Sequence, residues 1–83
     1  MNDRVAIIGI VVEKGGDIMR LNDLLHEYKD YVVGRMGIPY PKREISLISV
    51  VVDGPSDKIS ALSGKIGMID GITAKAAYSK LAG

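Results

Sequence analysis

The sequences VAIIGIVV at residues 5–12 and ISLISVVV at residues 45–52 decide the fold, because apolar side chains occupy nearly every position. A β-strand sends successive side chains to opposite faces of its sheet, so both stretches are apolar on both faces. One face carries Val5, Ile7 and Val11 in the first stretch and Ile45, Leu47 and Val51 in the second. Other parts of the protein must therefore cover both faces of both strands.

Helical periodicity follows each of these strands. The turn Lys14-Gly15-Gly16 ends the first strand, predicted over residues 4–13, and Asp17 is a candidate N-cap. The apolar residues of the first helix recur at helical spacing and are Ile18, Leu21, Leu24, Leu25 and Tyr28. A second helix begins near Pro55 or Ser56, and its apolar stripe comprises Ile59, Leu62 and Ile66.

Two further segments have the composition of strands. Residues 31–36 form a short strand in which Gly34 suggests a bulge, and residues 38–43 form a loop because they contain two prolines. Residues 44–52 include the second apolar stretch, and the turn residues at 53–55 end that strand. The last strand is predicted over residues 72–79.

This order, β-α-β-β-α-β, predicts a ferredoxin-like α+β fold in a single domain over residues 1–83. Right-handed crossovers place both helices on one face of a four-stranded antiparallel sheet, with the first and third strands at its centre. These central strands are the two apolar stretches, so one apolar sheet face is left without helices. We expect a second copy of the chain to cover it, giving a dimer or tetramer through this face or through strand edges.

The composition argues against several classes of function. The chain has 11 basic and 10 acidic residues, so its overall charge of +1 does not favour nucleic-acid binding. It contains no Cys, and no serine lies in a nucleophile elbow, so we expect no catalytic residues. Its longest apolar run is far shorter than the ~20 residues of a membrane-spanning helix. We expect a cytoplasmic protein that is not an enzyme and does not bind membranes.

His26 is the one histidine of the chain, and it lies near the end of the first helix. No second histidine stands at metal-ligand spacing, so we predict no metal site from this residue alone. A histidine at a helix C-terminus also interacts favourably with the helix dipole, which is the alternative explanation of its position.

Three other positions are candidates for binding. Arg35, between two glycines, could reach a ligand or could be an exposed charge of an edge strand. Tyr40, between two prolines, could pack across a subunit boundary or on its own domain. Gly15, Gly16 and Asp17 join the first strand to the first helix, where backbone N–H groups favour anions, although a simple capped turn explains the same residues.

Five blocks of the sequence carry a family resemblance: residues 4–13, 25–28, 34–40, 59–65 and 75–80. The most specific blocks are HEY at 26–28 and GRMGIPY at 34–40. They resemble a small family of regulators of the iron-only hydrogenase system, which is similar to ACT domains and to the ligand-binding domain of the nickel-responsive repressor. The resemblance runs over residues 4–80.

The resemblance implies a cytoplasmic oligomeric regulator that binds a small ligand. It favours His26, Tyr28, Arg35 and Tyr40 as ligand-binding residues, and the similarity to ACT domains adds Gly15, Gly16 and Asp17. The set of histidines and a cysteine that holds nickel in the repressor has no counterpart here, and we expect the protein to have no DNA-binding segment of its own. The ligand and any cofactor stay unidentified. The alternative is an assembly partner of a hydrogenase-maturation protein without a small ligand.

Overall fold

The computed structural model describes residues 3–80. Its elements are, in chain order, β1 (Asp3–Val12), α1 (Ile18–Glu27), β2 (Val32–Tyr40), β3 (Ile45–Pro55), α2 (Ser56–Gly67) and β4 (Ile72–Tyr78). Short 3₁₀ turns at Lys29–Tyr31 and Pro41–Arg43 flank β2. Residues 1, 2 and 81–83 of the predicted domain lie outside the described residues.

The four strands form one antiparallel sheet in the order β2-β3-β1-β4. The ferredoxin-like α+β arrangement is therefore confirmed, and β1 and β3 are the central strands, as their composition predicts. No helix between residues 3 and 80 is long and apolar enough to cross a membrane.

The core lies between one face of the sheet and the two helices. The sheet contributes every second residue of its strands: Ala6, Ile8, Ile10, Val12, Ile48, Val50, Val52 and Ile72. The helices contribute their apolar stripes: Leu21, Leu24, Leu25, Ile59, Leu62 and Ile66. Burying each of the Val, Leu and Ile side chains stabilises the fold by about 1.5–3 kcal/mol relative to leaving it exposed. The periodicities of two and of three to four residues therefore select most of the core correctly. Ile18 is the exception, because it is the first residue of α1 and is 39% exposed.

β2 is longer than its sequence indicates. It continues through Ile38 and Pro39 to Tyr40, where we predicted a loop, and its last pair joins Tyr40 to Ile45. A proline is tolerated here because β2 lies at the edge of the sheet. The predicted bulge is present, since the pairing register shifts between Val32 and Gly34.

β3 also extends beyond its predicted end at residue 52 and includes residues 53–55. Gly54 pairs with Arg4 of β1 and is buried, because the ring of Tyr31 lies against it. The prediction that these turn-forming residues end the strand is wrong, since pairing with the start of β1 keeps them extended.

Candidate functional site

The sheet face without helices exposes several large apolar side chains on neighbouring strands. We call it the helix-free face and define it by Val5, Ile7 and Val11 of β1, Leu47 and Val51 of β3, and Met36, Ile38 and Tyr40 of β2. Ile7 is 48% exposed, Leu47 39%, Met36 72% and Ile38 61%. Isolated apolar residues are normal on a surface, but a contiguous set of this kind is typical of an interface.

A shallow depression of about 260 Å³ lies near the middle of the helix-free face. Its floor is at Gly9 and Ser49, which pair with each other across the two central strands. Its walls are Val11, Met36, Ile38 and Leu47. Among the described residues, the strand pairing places only three charged ones on this face. Lys75 lies opposite Gly9, Asp53 lies opposite Val5, and Asp3 lies two residues before Val5, at the same end of the sheet as Asp53. The middle of the face is therefore apolar and carries both a projecting Ile7 and a hollow.

The opposite face of β2 forms a second candidate site with α1. We call it the α1–β2 cleft and define it by its lining residues Asn22, Leu25, His26, Lys29, Val32 and Arg35. The cleft has a volume of about 360 Å³. It brings together His26 and Arg35, two of the predicted ligand-binding residues, which come from different elements.

Arg35 is directed toward α1 by one hydrogen bond. Its Nη2 atom donates to Oδ1 of Asn22 at 3.2 Å. Arg35 pairs with Val50, whose side chain is buried beneath the helices, so the guanidinium rises from the helix-covered side of the sheet at its edge. Among residues 3–80 the one ion pair joins Lys14 to Glu44, and Arg35 therefore has no carboxylate partner within this part of the chain.

The junction of β1 and α1 is a capped turn. Asp17 accepts a hydrogen bond from the backbone N–H of Arg20 at 3.1 Å, which confirms its predicted capping role. The N–H of Gly16 donates to Glu13 at 2.9 Å, and the N–H of Asp17 donates to Asp70 at 3.3 Å. These N–H groups already have partners, so they are not directed at a ligand.

A mixed-charge cavity of about 390 Å³ adjoins this junction. It is lined by Asp17, Arg20, Lys65, Met68, Ile69 and Asp70. Two acidic and two basic side chains balance one another, so the cavity has no marked preference for either sign of charge. Gly15 and Gly16 do not line it, and a ligand site at these residues stays a prediction.

Tyr28 lies just after the end of α1, on the side of the helix end away from the α1–β2 cleft. It packs against the core and forms a tilted ring pair with Tyr31, with the ring centroids 6.4 Å apart. The Lys65 ammonium lies 5.3 Å from the Tyr28 ring centroid. Hydrogen bonding and charge interaction with Tyr28 raise the pKa of Lys65 above its ordinary value of 10.5. Tyr28 thus lines a different cleft from His26.

The predicted ligand-binding residues do not form one site. Tyr40 is an odd number of residues from Arg35 on the same strand and lies on the helix-free face, 43% exposed. Sequence reasoning missed Met36 and Ile38 as parts of that face. It ended the strand before Ile38, and it included Met36 in the strand without assigning it to this face. It also missed Asn22 and Lys29 in the α1–β2 cleft. The four-residue spacing of Asn22 and His26 was the available signal for Asn22, since residues four apart share a helix face. Lys29 follows α1 in a 3₁₀ turn, and helical spacing does not place it.

Within residues 3–80 no group of three or more His, Asp or Glu side chains is placed to hold a metal ion. Charged side chains line the α1–β2 cleft, the mixed-charge cavity beside Asp17 and the cleft at Tyr28.

Comparison with known proteins identifies relatives over nearly the whole chain. A family model described as "TM1266-like: Iron-only hydrogenase system regulator, putative" matches residues 4–76. The solved structure of uncharacterized protein TM1266 from Thermotoga maritima is 35% identical in sequence, with a TM-score of 0.87. That match covers 94% of this chain and 99% of the other. No curated protein matches. The family description names a regulator and not an enzyme.

Proposed function

The chain belongs to the TM1266-like family, and from that premise we propose that it is a non-catalytic, homo-oligomeric regulator of the iron-only hydrogenase system. In this proposal a second copy of the chain covers the helix-free face, and the assembly senses a small ligand in the cytoplasm. A ligand that binds one assembly more tightly than another would increase the population of the assembly it prefers, and this change would carry the regulatory signal.

The exposed apolar helix-free face is the observation that carries the proposal. Ile7 and Leu47 lie on the two central strands, and both are more than one-third exposed in a single chain. At about 25 cal/mol per Å² of apolar surface, covering such a face is a substantial driving force for association. Obligate interfaces have this apolar character, resembling a domain core divided in two.

Two features of the face favour a second copy as its occupant. It carries a projecting side chain, Ile7, and a hollow over Gly9 and Ser49, so it offers both halves of a complementary contact. A two-fold axis uses the same patch on both partners, which requires this self-complementarity. Its charged residues are Lys75 on the edge strand β4 and Asp53 and Asp3 toward one end of the central strands. They differ in sign, so two copies need not bring like charges together.

The oligomeric state tests the proposal directly. We expect native mass spectrometry at micromolar concentration to give a dimer or tetramer for the unaltered chain. Ile7→Lys places a charge in the middle of the helix-free face and is expected to give a monomer. The matched control is Ile18→Lys, which makes the same change at a residue 39% exposed at the start of α1.

Circular dichroism of both variants checks that each is folded. A monomeric unaltered chain would refute the oligomer, as would a folded Ile7→Lys variant that keeps the oligomer mass. If the unaltered chain is a monomer, the alternative is that it is an assembly partner of a hydrogenase-maturation protein. That alternative gains support only if a purified hydrogenase-maturation protein binds the helix-free face and Ile7→Lys abolishes the binding.

A further inference from the structure

We propose that the α1–β2 cleft binds a small organic anion through its carboxylate or phosphate group, with Arg35 as the principal ligand. The inference rests on the sensing role proposed above and specifies the chemistry of the ligand. It is carried by the geometry of Arg35, by the separation of charges around the end of α1 and by the apolar floor of the cleft.

The guanidinium of Arg35 is held by a hydrogen bond, but no carboxylate among the described residues pairs with its charge. A guanidinium has five N–H donors, and the hydrogen bond to Asn22 uses one of them. The described part of the chain supplies no carboxylate to the others. The planar arrangement of these donors matches two oxygens of a carboxylate or phosphate, and Asn22 limits the conformations that the side chain must lose on binding.

The charges around the end of α1 are separated. Lys29 and Arg35 line the α1–β2 cleft together with His26, and no acidic residue lines it. The nearby acidic residues Glu27 and Asp30 instead line the cleft at Tyr28, on the other side of the helix end. A chain with nearly balanced charge thus has a local positive site, which attracts anions electrostatically.

The floor of the cleft is apolar. Leu25 is 5% exposed and Val32 is half-buried, so both offer carbon surface beneath the charged groups. A volume of about 360 Å³ lies in the lower part of the range found for small-molecule sites, about 300–1,000 Å³. A ligand with a short carbon skeleton beside its anionic group fits both properties better than a bare inorganic ion.

The single histidine of the chain supplies a reporter inside the cleft. Proton NMR resolves the ring signals of His26, and these are followed at fixed pH during titration of the full chain. The probes are sodium phosphate, phenyl phosphate and sodium butyrate, with sodium chloride at matched ionic strength as the reference. We expect a saturable shift with the anions that chloride does not produce, and tighter binding of the two organic probes.

Comparing the dissociation constants of phenyl phosphate and butyrate shows whether the cleft prefers a phosphate or a carboxylate group. Arg35→Gln is expected to weaken binding of the preferred probe about tenfold or more, because the charged hydrogen bonds are lost. Arg43→Gln removes the same charge from the turn Pro41–Arg43, outside the cleft, and is expected to leave the dissociation constant unchanged.

Shifts that chloride reproduces, or an Arg35→Gln variant that binds like the unaltered chain, would overturn the inference. These outcomes are independent of the oligomer mass. A chain that is oligomeric but shows no saturable shift removes only the anion site, and a monomer that binds phenyl phosphate removes only the oligomer.

Discussion

Gly54 is buried in β3 because the ring of Tyr31 lies where a side chain would otherwise stand. A Cβ atom built on Gly54 would lie 2.6 Å from Cδ1 and 3.2 Å from Cγ of Tyr31. Gly71 combines a φ of +74° with a neighbour that is also too close for a side chain, since its Cβ would lie 2.8 Å from Cα of Gly16. The absence of a side chain at these two glycines allows Tyr31 and Gly16 to approach the backbone this closely.

Gly54→Ala is expected to lower the free energy of unfolding by about 1–3 kcal/mol, because the tyrosine ring or β3 must move. Urea denaturation measures this change. The control is Gly64→Ala in α2, where no atom lies within 4 Å of the new Cβ. That variant should gain about 0.5–1 kcal/mol from helix propensity. Equal effects of the two substitutions would contradict the role of Tyr31.

Asp17 stabilises the start of α1 through one side-chain hydrogen bond to the N–H of Arg20. Asp17→Ala is expected to cost about 0.5–2 kcal/mol in thermal or urea unfolding, whereas Asp17→Asn keeps an acceptor oxygen and should cost less. A loss of equal size in both variants would mean that the charge of Asp17, and not its capping hydrogen bond, stabilises the helix.

At the scale of elements, β1 presents two different apolar faces. Ile8 is completely buried against the helices, whereas its neighbour Ile7 is 48% exposed on the helix-free face. Both side chains are isoleucine, on consecutive residues of one strand. Their contributions to stability therefore separate the packing within one chain from the packing between copies.

Ile8→Val is expected to destabilise the protein by about 0.5–1.5 kcal/mol at every protein concentration, because it removes one buried methylene. The effect of Ile7→Val should be smaller at low concentration and should increase with concentration, as the interface forms. Urea unfolding over a hundredfold range of concentration makes the comparison. An Ile7→Val effect that does not depend on concentration would argue against a second copy on this face.

At the scale of the whole molecule, residues 3–80 form one layer of helices and one sheet, and none of their helices covers the other sheet face. A domain of this size buries only about 60–65% of its unfolded surface, so the stability available from its own core is limited. Association would add stability that depends on concentration, because the oligomer binds only folded chains.

The melting temperature of the unaltered chain is therefore expected to rise with each tenfold increase in concentration. Differential scanning calorimetry measures it. Ile7→Lys should have a lower melting temperature that no longer depends on concentration, and Ile18→Lys should keep the dependence. A melting temperature of the unaltered chain that stays constant across the series would contradict an oligomer that is linked to folding.

The sequence by itself determined the identity and order of the elements, the two central strands, most of the buried residues and the Asp17 cap. These features follow from local periodicity and from the conformational preferences of single residues, which act within a few positions of the chain. Pairing between distant strands instead decided that Pro39 and Gly54 lie within strands. Tertiary packing also decided that His26 lies beside Arg35. Tyr28 and Tyr40 lie on other surfaces for the same reason, and Met36 and Ile38 lie on the helix-free face. Only the tertiary structure settles such placements, because they depend on register and on which edge a helix packs against, and neither leaves a local pattern in the sequence.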